Sequence, residues 1–341
     1  MLAGHSQTAP MHKTAEKQPD KKKGKPRPTS KVWIFVLFAL QILLRLVIAA
    51  VGISVIAGSM LYVWRSHTSP NLAISPAPVV PQETAVLPET PAIPSPELLA
   101  RLRELMPKTE AMQLQVVVFD VDAGTYANLN ADQPFPAGGT IQLPLLAAFF
   151  YFVDQGKLRL DTPASRPDGN KLPLLSAALS MIRTGDNTAA NILLTAMGGN
   201  DAVNQLWQSW RLKHTRLNVP LPDSNGANTT SSEDLVNLLS MLERGQILKL
   251  RSRDRLLDIL ARTEANSLLP QGIGAEARIY HKMGDSNSSV GDAGIVDMPN
   301  GKRYLIAVLV KRQDNDPSAK ELIRSISSTT YDFLNSRAIK E

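Results

Sequence analysis

Hydrophobic and polar positions follow four different rhythms along this 341-residue chain, and each rhythm predicts a different kind of segment. Residues 1–31 show neither helical nor strand period and are rich in Pro, Gly and Lys, the pattern of a solvated basic tail. Residues 32–64 are apolar, interrupted only by Gln41, Arg45 and small residues. A helix of that length reaches about 50 Å at about 1.5 Å per residue, more than the roughly 30 Å of a bilayer core, which predicts one transmembrane helix. A central Arg costs about 3 kcal/mol on insertion, so the deepest part is expected at Leu46 to Val63, with Arg45 reaching back to the headgroups. Residues 65–95 carry seven prolines among Ser, Thr, Ala and Val. That composition favours an extended linker with a reach of about 90 Å at about 3.1 Å per residue.

Regular periods resume at Ser95, read as an N-cap before Pro96 at the first helical position. Leu98, Leu99, Leu102, Leu105 and Met106 then fall on one helix face. Leu114 to Asp120 and Thr125 to Asn130 read as two strands joined at Asp122-Ala123-Gly124. Three more strands are expected at Arg278 to Met283, Gly291 to Asp297 and Arg303 to Val310, with Asn300-Gly301 as the hairpin turn. A closing helix after Pro317 spaces Ala319, Leu322, Ile323, Ile326, Thr330, Phe333 and Leu334 at helical period. Strands from both chain ends enclosing a mostly helical stretch predict an α+β domain over residues 96–341. Its antiparallel sheet is flanked by the N- and C-terminal helices, and an all-helical subdomain is inserted.

Charge changes the picture only at the N-terminus. The net charge is +6, and residues 1–31 account for all of it with eight Lys/Arg and two Asp/Glu. Positive residues before the apolar run place the N-terminus in the cytoplasm and everything after Trp64 on the far side of an inner or plasma membrane, periplasmic or extracellular. A cleaved signal peptide with Ala57-Gly58-Ser59 as its small residues is the alternative, but its apolar region is ordinarily about 7 to 15 residues long. Beyond residue 31 the basic and acidic residues cancel at 29 each, so no basic face for nucleic acid is expected. The chain has no Cys, and its five His form no i,i+4 pair, so neither a metal nor a cofactor is expected.

Candidate chemistry sits in four ordered segments. The first is Phe135-Pro136-Ala137-Gly138-Gly139-Thr140-Ile141-Gln142-Leu143-Pro144, and the second is Gly185-Asp186-Asn187 followed by Thr188-Ala189-Ala190-Asn191. The third is Asn228-Thr229-Thr230 with Glu233-Asp234-Leu235, and the fourth is Lys282-Met283-Gly284 after His281, with Asp292-Ala293-Gly294 following. Together they resemble the serine β-lactamase and penicillin-binding family, and the resemblance covers Pro96 to Glu341.

That resemblance implies a β-lactamase-like fold and a nucleophile pair Ser-x-x-Lys, whose i,i+3 spacing lets Lys accept the Ser proton. Here the two positions are Gly139 and Gln142, and the Ser of the family's Ser-Asp-Asn is Gly185. The family's Lys-Thr-Gly keeps Lys282 and Gly284 but has Met283 in place of its hydroxyl residue. The Glu that activates the deacylating water in class A enzymes has no match, since Asp223 is the only carboxylate between Asp201 and Glu233 and reads as a turn residue.

The losses fall on the proton-transfer groups while the surrounding residues are retained, which implies a catalytically inactive homologue. Its cleft would bind cell-wall peptide or a protein partner through Asn187, Lys282, Gly284 and the backbone N–H groups of Gly139 and Asp285. Two alternatives stand beside this: an active hydrolase with Thr140 as displaced nucleophile, and a structural or assembly protein of the cell envelope. Taken singly, each match also has an ordinary explanation. Gly139 permits a tight helix start, Asn187 caps a helix, and Lys282 is an exposed strand lysine. Restoring the family's serine, lysine and serine at positions 139, 142 and 185 is then expected to permit slow acylation by a penicillin.

Overall fold

The computed structural model describes residues 93–313 and 315–338. The basic tail, the apolar run at 32–64 and residues 65–92 of the linker lie outside the described residues.

The first described element is not the helix after Ser95 but a short strand, β1 (Ile93–Pro94), in a stretch read from sequence as linker. It pairs parallel with β3 (Thr125–Leu129), through Ile93 N–H to Gly124 O at 2.9 Å and Ser95 N–H to Tyr126 O at 2.7 Å. Pro94 is tolerated because an edge position asks nothing of its missing N–H. The sheet is therefore mixed rather than purely antiparallel.

Ser95 does stand at the start of α1 (Pro96–Glu104), yet its side chain makes no capping bond, and its Oγ is buried without a partner among the described residues. Its backbone N–H is held instead by Tyr126 O on β3. Leu98 and Leu102 are buried as the helical spacing predicts, while Met106, past the helix end, is 40% exposed.

The remaining sheet strands are β2 (Gln113–Asp120), β8 (Arg278–Asp285), β9 (Ser289–Asp297) and β10 (Arg303–Lys311), in the order β1-β3-β2-β10-β9-β8. The two chain ends meet at the β2–β10 ladder, where Val118 faces Ile306 and Val116 faces Val308. Period-2 alternation sends the β10 side chains to two separate cores. Tyr304, Ile306, Val308 and Val310 pack under α1 and the C-terminal helix α8 (Ser318–Ala338), whereas Leu305, Ala307 and Leu309 face the helical subdomain. Gly301, at φ +85°, supplies the left-handed residue of the β9–β10 turn.

Between β3 and β8 lie two small two-stranded sheets, β4 (Phe135–Pro136) with β7 (Thr229–Thr230) and β5 (Pro163–Ser165) with β6 (Lys171–Pro173). The helices there are α2 (Gln142–Asp154), α3 (Leu174–Thr184), α4 (Asn187–Ala196), α5 (Gly199–Ser209), α6 (Ser232–Glu243) and α7 (Leu250–Leu260). α2 is the hub of this subdomain: every residue from Gln142 to Phe150 is buried, so it reads as apolar on all sides. Burying each of its Leu and Phe side chains contributes about 1.5 to 3 kcal/mol. The 3₁₀ turn Gly138–Ile141 leads into α2 and carries its start against β8 and β9.

Candidate functional site

β8, the outer strand of the sheet, meets the 3₁₀ turn through two glycines. A Cβ built on Gly139 would lie 2.9 Å from Gly284 Cα and 3.3 Å from Met283 O. A Cβ on Gly284 would lie 2.6 Å from Thr140 N and would collide with Gly139 N. Both positions need glycine because backbone runs against backbone, so no side chain has room at 139 unless β8 shifts. A serine restored at position 139 would fit only with a displacement of β8.

Gln142 begins α2 and is 1% exposed. Its Nε2 donates to Asn187 Oδ1 at 3.1 Å and, at 3.5 Å, to Gly185 O, linking α2 to the turn between α3 and α4. Its Oε1 is buried, with no donor among the described residues.

In that turn Gly185 sits at φ +73° and ends α3 in the left-handed conformation. The N-cap of α4 is Asp186, not Asn187: Asp186 Oδ1 accepts from Ala189 N–H at 3.0 Å. Burial raises the Asp186 pKa, but the Ala189 N–H, the Ser180 hydroxyl and the Arg166 guanidinium outweigh it and hold the carboxyl below its usual range. Asn187 is thereby the first helical residue, free to turn its amide oxygen to Gln142.

Lys282 is not an exposed strand lysine. It is 4% exposed, shares the β8 face of Tyr280 toward the helical subdomain, and donates to Met283 O at 2.6 Å. Burial pulls its pKa down to about 8, against the attraction of Asp292. Among the described residues no carboxylate oxygen comes within ion-pair distance of Nζ, because Asp292 projects from the neighbouring strand into a different set of partners. Met283 points the other way, into the core under α8, with Ser267 Oγ 3.7 Å from its sulfur. The Asp285 carboxylate is tied to Arg312 and, at 2.6 Å, to Lys320.

A buried pair escaped the sequence reading. His281 Nδ1 lies 2.8 Å from Asp292 Oδ1, His281 Nε2 lies 3.3 Å from Asn266 Oδ1, and Asp292 Oδ2 accepts from Leu269 N–H at 3.2 Å. Nothing in the local spacing announces it. The β8–β9 register does, since His281 pairs with Gly294 and Asp292 with Met283, making the two side chains diagonal neighbours. A hollow of about 490 Å³ opens beside His281, Asn266 and Thr263, along the chain leading into β8. It belongs to the His281 face of the strand, not to the face that carries Lys282.

Thr140 is fully buried and its hydroxyl donates to Ala137 O at 2.6 Å, so it has no base at hydrogen-bond distance. Asp223 accepts from the backbone N–H groups of Asn225, Ala227 and Asn228, which is a turn role. Among the described residues no three His, Asp or Glu side chains converge as a metal site.

Sheet topology, inserted helical subdomain and the four ordered segments together define a β-lactamase-like domain. The sequence profile of the Beta-lactamase enzyme family matches residues 97–334, and the chain belongs to that family. Among curated relatives, β-lactamase CARB-3 of Pseudomonas aeruginosa is 26% identical over 185 residues, 47% of this chain and 64% of that protein, so the chain spans less than two thirds of its length. A β-lactamase of Rhodobacter capsulatus is 25% identical over 246 residues, 66% of this chain and 83% of that protein. Among solved structures, PBP-A is 42% identical with a TM-score of 0.71, covering 72% of this chain and 98% of its own. An ancestral class A β-lactamase follows at 26% identity and a TM-score of 0.65, covering 70% of this chain and 100% of its own.

Proposed function

We propose that this chain is a catalytically inactive β-lactamase homologue, tethered to the membrane through residues 32–64 with its folded domain on the far side, and that it works by recognising cell-wall peptide. Three absences support the inactive part: position 139 has no hydroxyl, position 142 has no amine, and position 185 has no hydroxyl. A hydrolase acting through Thr140 finds no support in a threonine whose proton goes to Ala137 O.

The observation that carries the binding part is Lys282. A buried ammonium with only a carbonyl partner is costly unless an anion completes it, and a peptide carboxylate is such an anion. A protein partner presenting a carboxylate would use the same contact. The test has two halves. Fluorescent penicillin should label neither the native chain nor the variant with Gly139→Ser, Gln142→Lys and Gly185→Ser, read by intact mass; an adduct on the native chain would overturn the inactive reading. Lys282→Ala should weaken binding of a peptide carboxylate by about 1 to 3 kcal/mol, the cost of a charge-assisted hydrogen bond. Unchanged affinity, or no binding by the native chain, would leave the structural role in the envelope as the better account.

A further inference from the structure

Strand register gives the six-stranded sheet a tether end and a cleft end. The chain enters the described residues at the exposed Ile93, which pairs with Thr125. Thr125 lies beside Asp120, Asp120 beside Tyr304, Arg303 beside Asp297, and Asp297 beside Arg278. Ile93 and Arg278 therefore mark the same end. From Arg278, β8 runs about 20 Å, at about 3.3 Å per residue, to Gly284 and its contact with Gly139. A basic segment stands at the tether end. Residues 244–255, the loop after α6 and the first turns of α7, hold five Lys/Arg and one Asp. Its start is fixed to the sheet end, since Glu243 accepts from Arg303 at 2.7 Å and the Arg244 guanidinium lies 6.0 Å from the centre of the Phe119 ring. Its middle is fixed to the far end of α2, where Asp154 accepts from Lys249 N–H at 2.7 Å and from Ser252 Oγ at 2.6 Å. Arg244, Lys249, Arg251 and Arg255 are exposed, and among the described residues no carboxylate oxygen is within ion-pair distance of them. Amid them Leu250 is 64% exposed, while Leu248 and Leu256 are buried.

We infer that this end of the domain docks on an anionic phospholipid surface through Arg244, Lys249, Arg251 and Arg255, with Leu250 entering the headgroup layer, so that the cleft end points away from the membrane. This rests on the reading of residues 32–64 as a membrane tether and adds to it which way the domain faces. Cations close to an anionic bilayer are drawn to it, and the attraction dies within a Debye length. Four such side chains make a weak site on a free protein. A tether keeps returning the site to the same surface, so a weak site suffices. The competing account is a solvated charged face, which leaves Leu250 without a role. A bilayer interface takes both, cations at the headgroups and an apolar side chain just beneath them. An acidic polymer or protein would satisfy the cations but gives no reason for their place at the end where the chain enters the domain.

The chain has no Cys, so Gln246→Cys places a single fluorophore in the basic segment and Asn287→Cys places one in the β8–β9 turn at the cleft end. Each labelled full-length chain is reconstituted in nanodiscs of phosphatidylcholine, alone or with phosphatidylglycerol, doped with a lipid that carries a nitroxide on its headgroup as quencher. In the anionic discs the label at 246 should be quenched and the label at 287 should not, and high salt should release the first. Arg244→Gln, Arg251→Gln and Arg255→Gln, added one at a time, should each lower the ratio of docked to undocked domain about fivefold. Leu250→Ser should lower it as well. Equal quenching at both positions, or at neither, in discs that hold the chain overturns the inference and leaves the tether reading standing. Quenching at 246 that is the same in neutral and anionic discs also overturns it, since the cations would then have no part. A chain that elutes apart from the discs removes the tether reading and this one with it.

Discussion

The two faces of β8 solve the problem of buried polarity in opposite ways. On the face toward α8, both nitrogens of His281 and both oxygens of Asp292 have partners. On the face toward the helical subdomain, and among the described residues, Lys282 reaches one carbonyl and no carboxylate, and Gln142 Oε1 at the start of α2 accepts no hydrogen bond. Paired polar groups specify a fold, and unpaired ones cost stability that must be justified elsewhere. The contrast is confined to these groups, since Tyr304 Oη and Thr330 Oγ1 on the α8 side also lack partners among the described residues, and it is the charge of Lys282 that sets the second face apart.

Breaking the satisfied face should cost most. Asp292→Ala strands His281 and the Leu269 N–H in the core, and is expected to lower unfolding free energy by about 3 to 5 kcal/mol in urea titrations. A loss below about 1 kcal/mol would mean that the pair is not a structural unit.

The unsatisfied face has a pH signature. Lys282 titrates at about 8 when folded against 10.5 in the open chain, so between those values the folded state binds fewer protons. Stability should rise with pH across that window, by up to about 3 kcal/mol, and should not rise further from this group above 10.5. Below about 8 both states are protonated and the burial cost is felt in full. Lys282→Met should abolish the rise. A saturating carboxylate ligand should flatten it too by restoring the Lys282 charge, which sharpens the comparison into a test of what the second face is for.

The smallest expected effect is at Ser95, an orphan group far from β8. Ser95→Ala should change stability by less than about 0.5 kcal/mol, where loss of a working N-cap costs about 1 kcal/mol. A full capping loss there would show that its hydroxyl bonds the helix in solution. A silent result would show that an orphan hydroxyl at this helix start costs little.

Much of this architecture is legible in the chain itself, because periodicity is a local property. The unbroken apolar run over 304–310 marks a strand buried on both faces, the spacing after Pro317 marks α8, and Asn300-Gly301 marks the turn between β9 and β10. The four ordered segments likewise point to the family and to the positions of Gly139, Gln142, Gly185 and Lys282. Three features were decided only in tertiary structure. The parallel pairing of β1 depends on where the chain enters the sheet, which two residues inside a Pro-rich run cannot announce. Lys282 reads as an ordinary strand lysine until the helical subdomain covers it, since burial is a property of what packs above. The contact of Gly139 with Gly284 joins residues far apart in the chain, and only the packing of the 3₁₀ turn on β8 turns two ordinary glycines into a closed backbone seam.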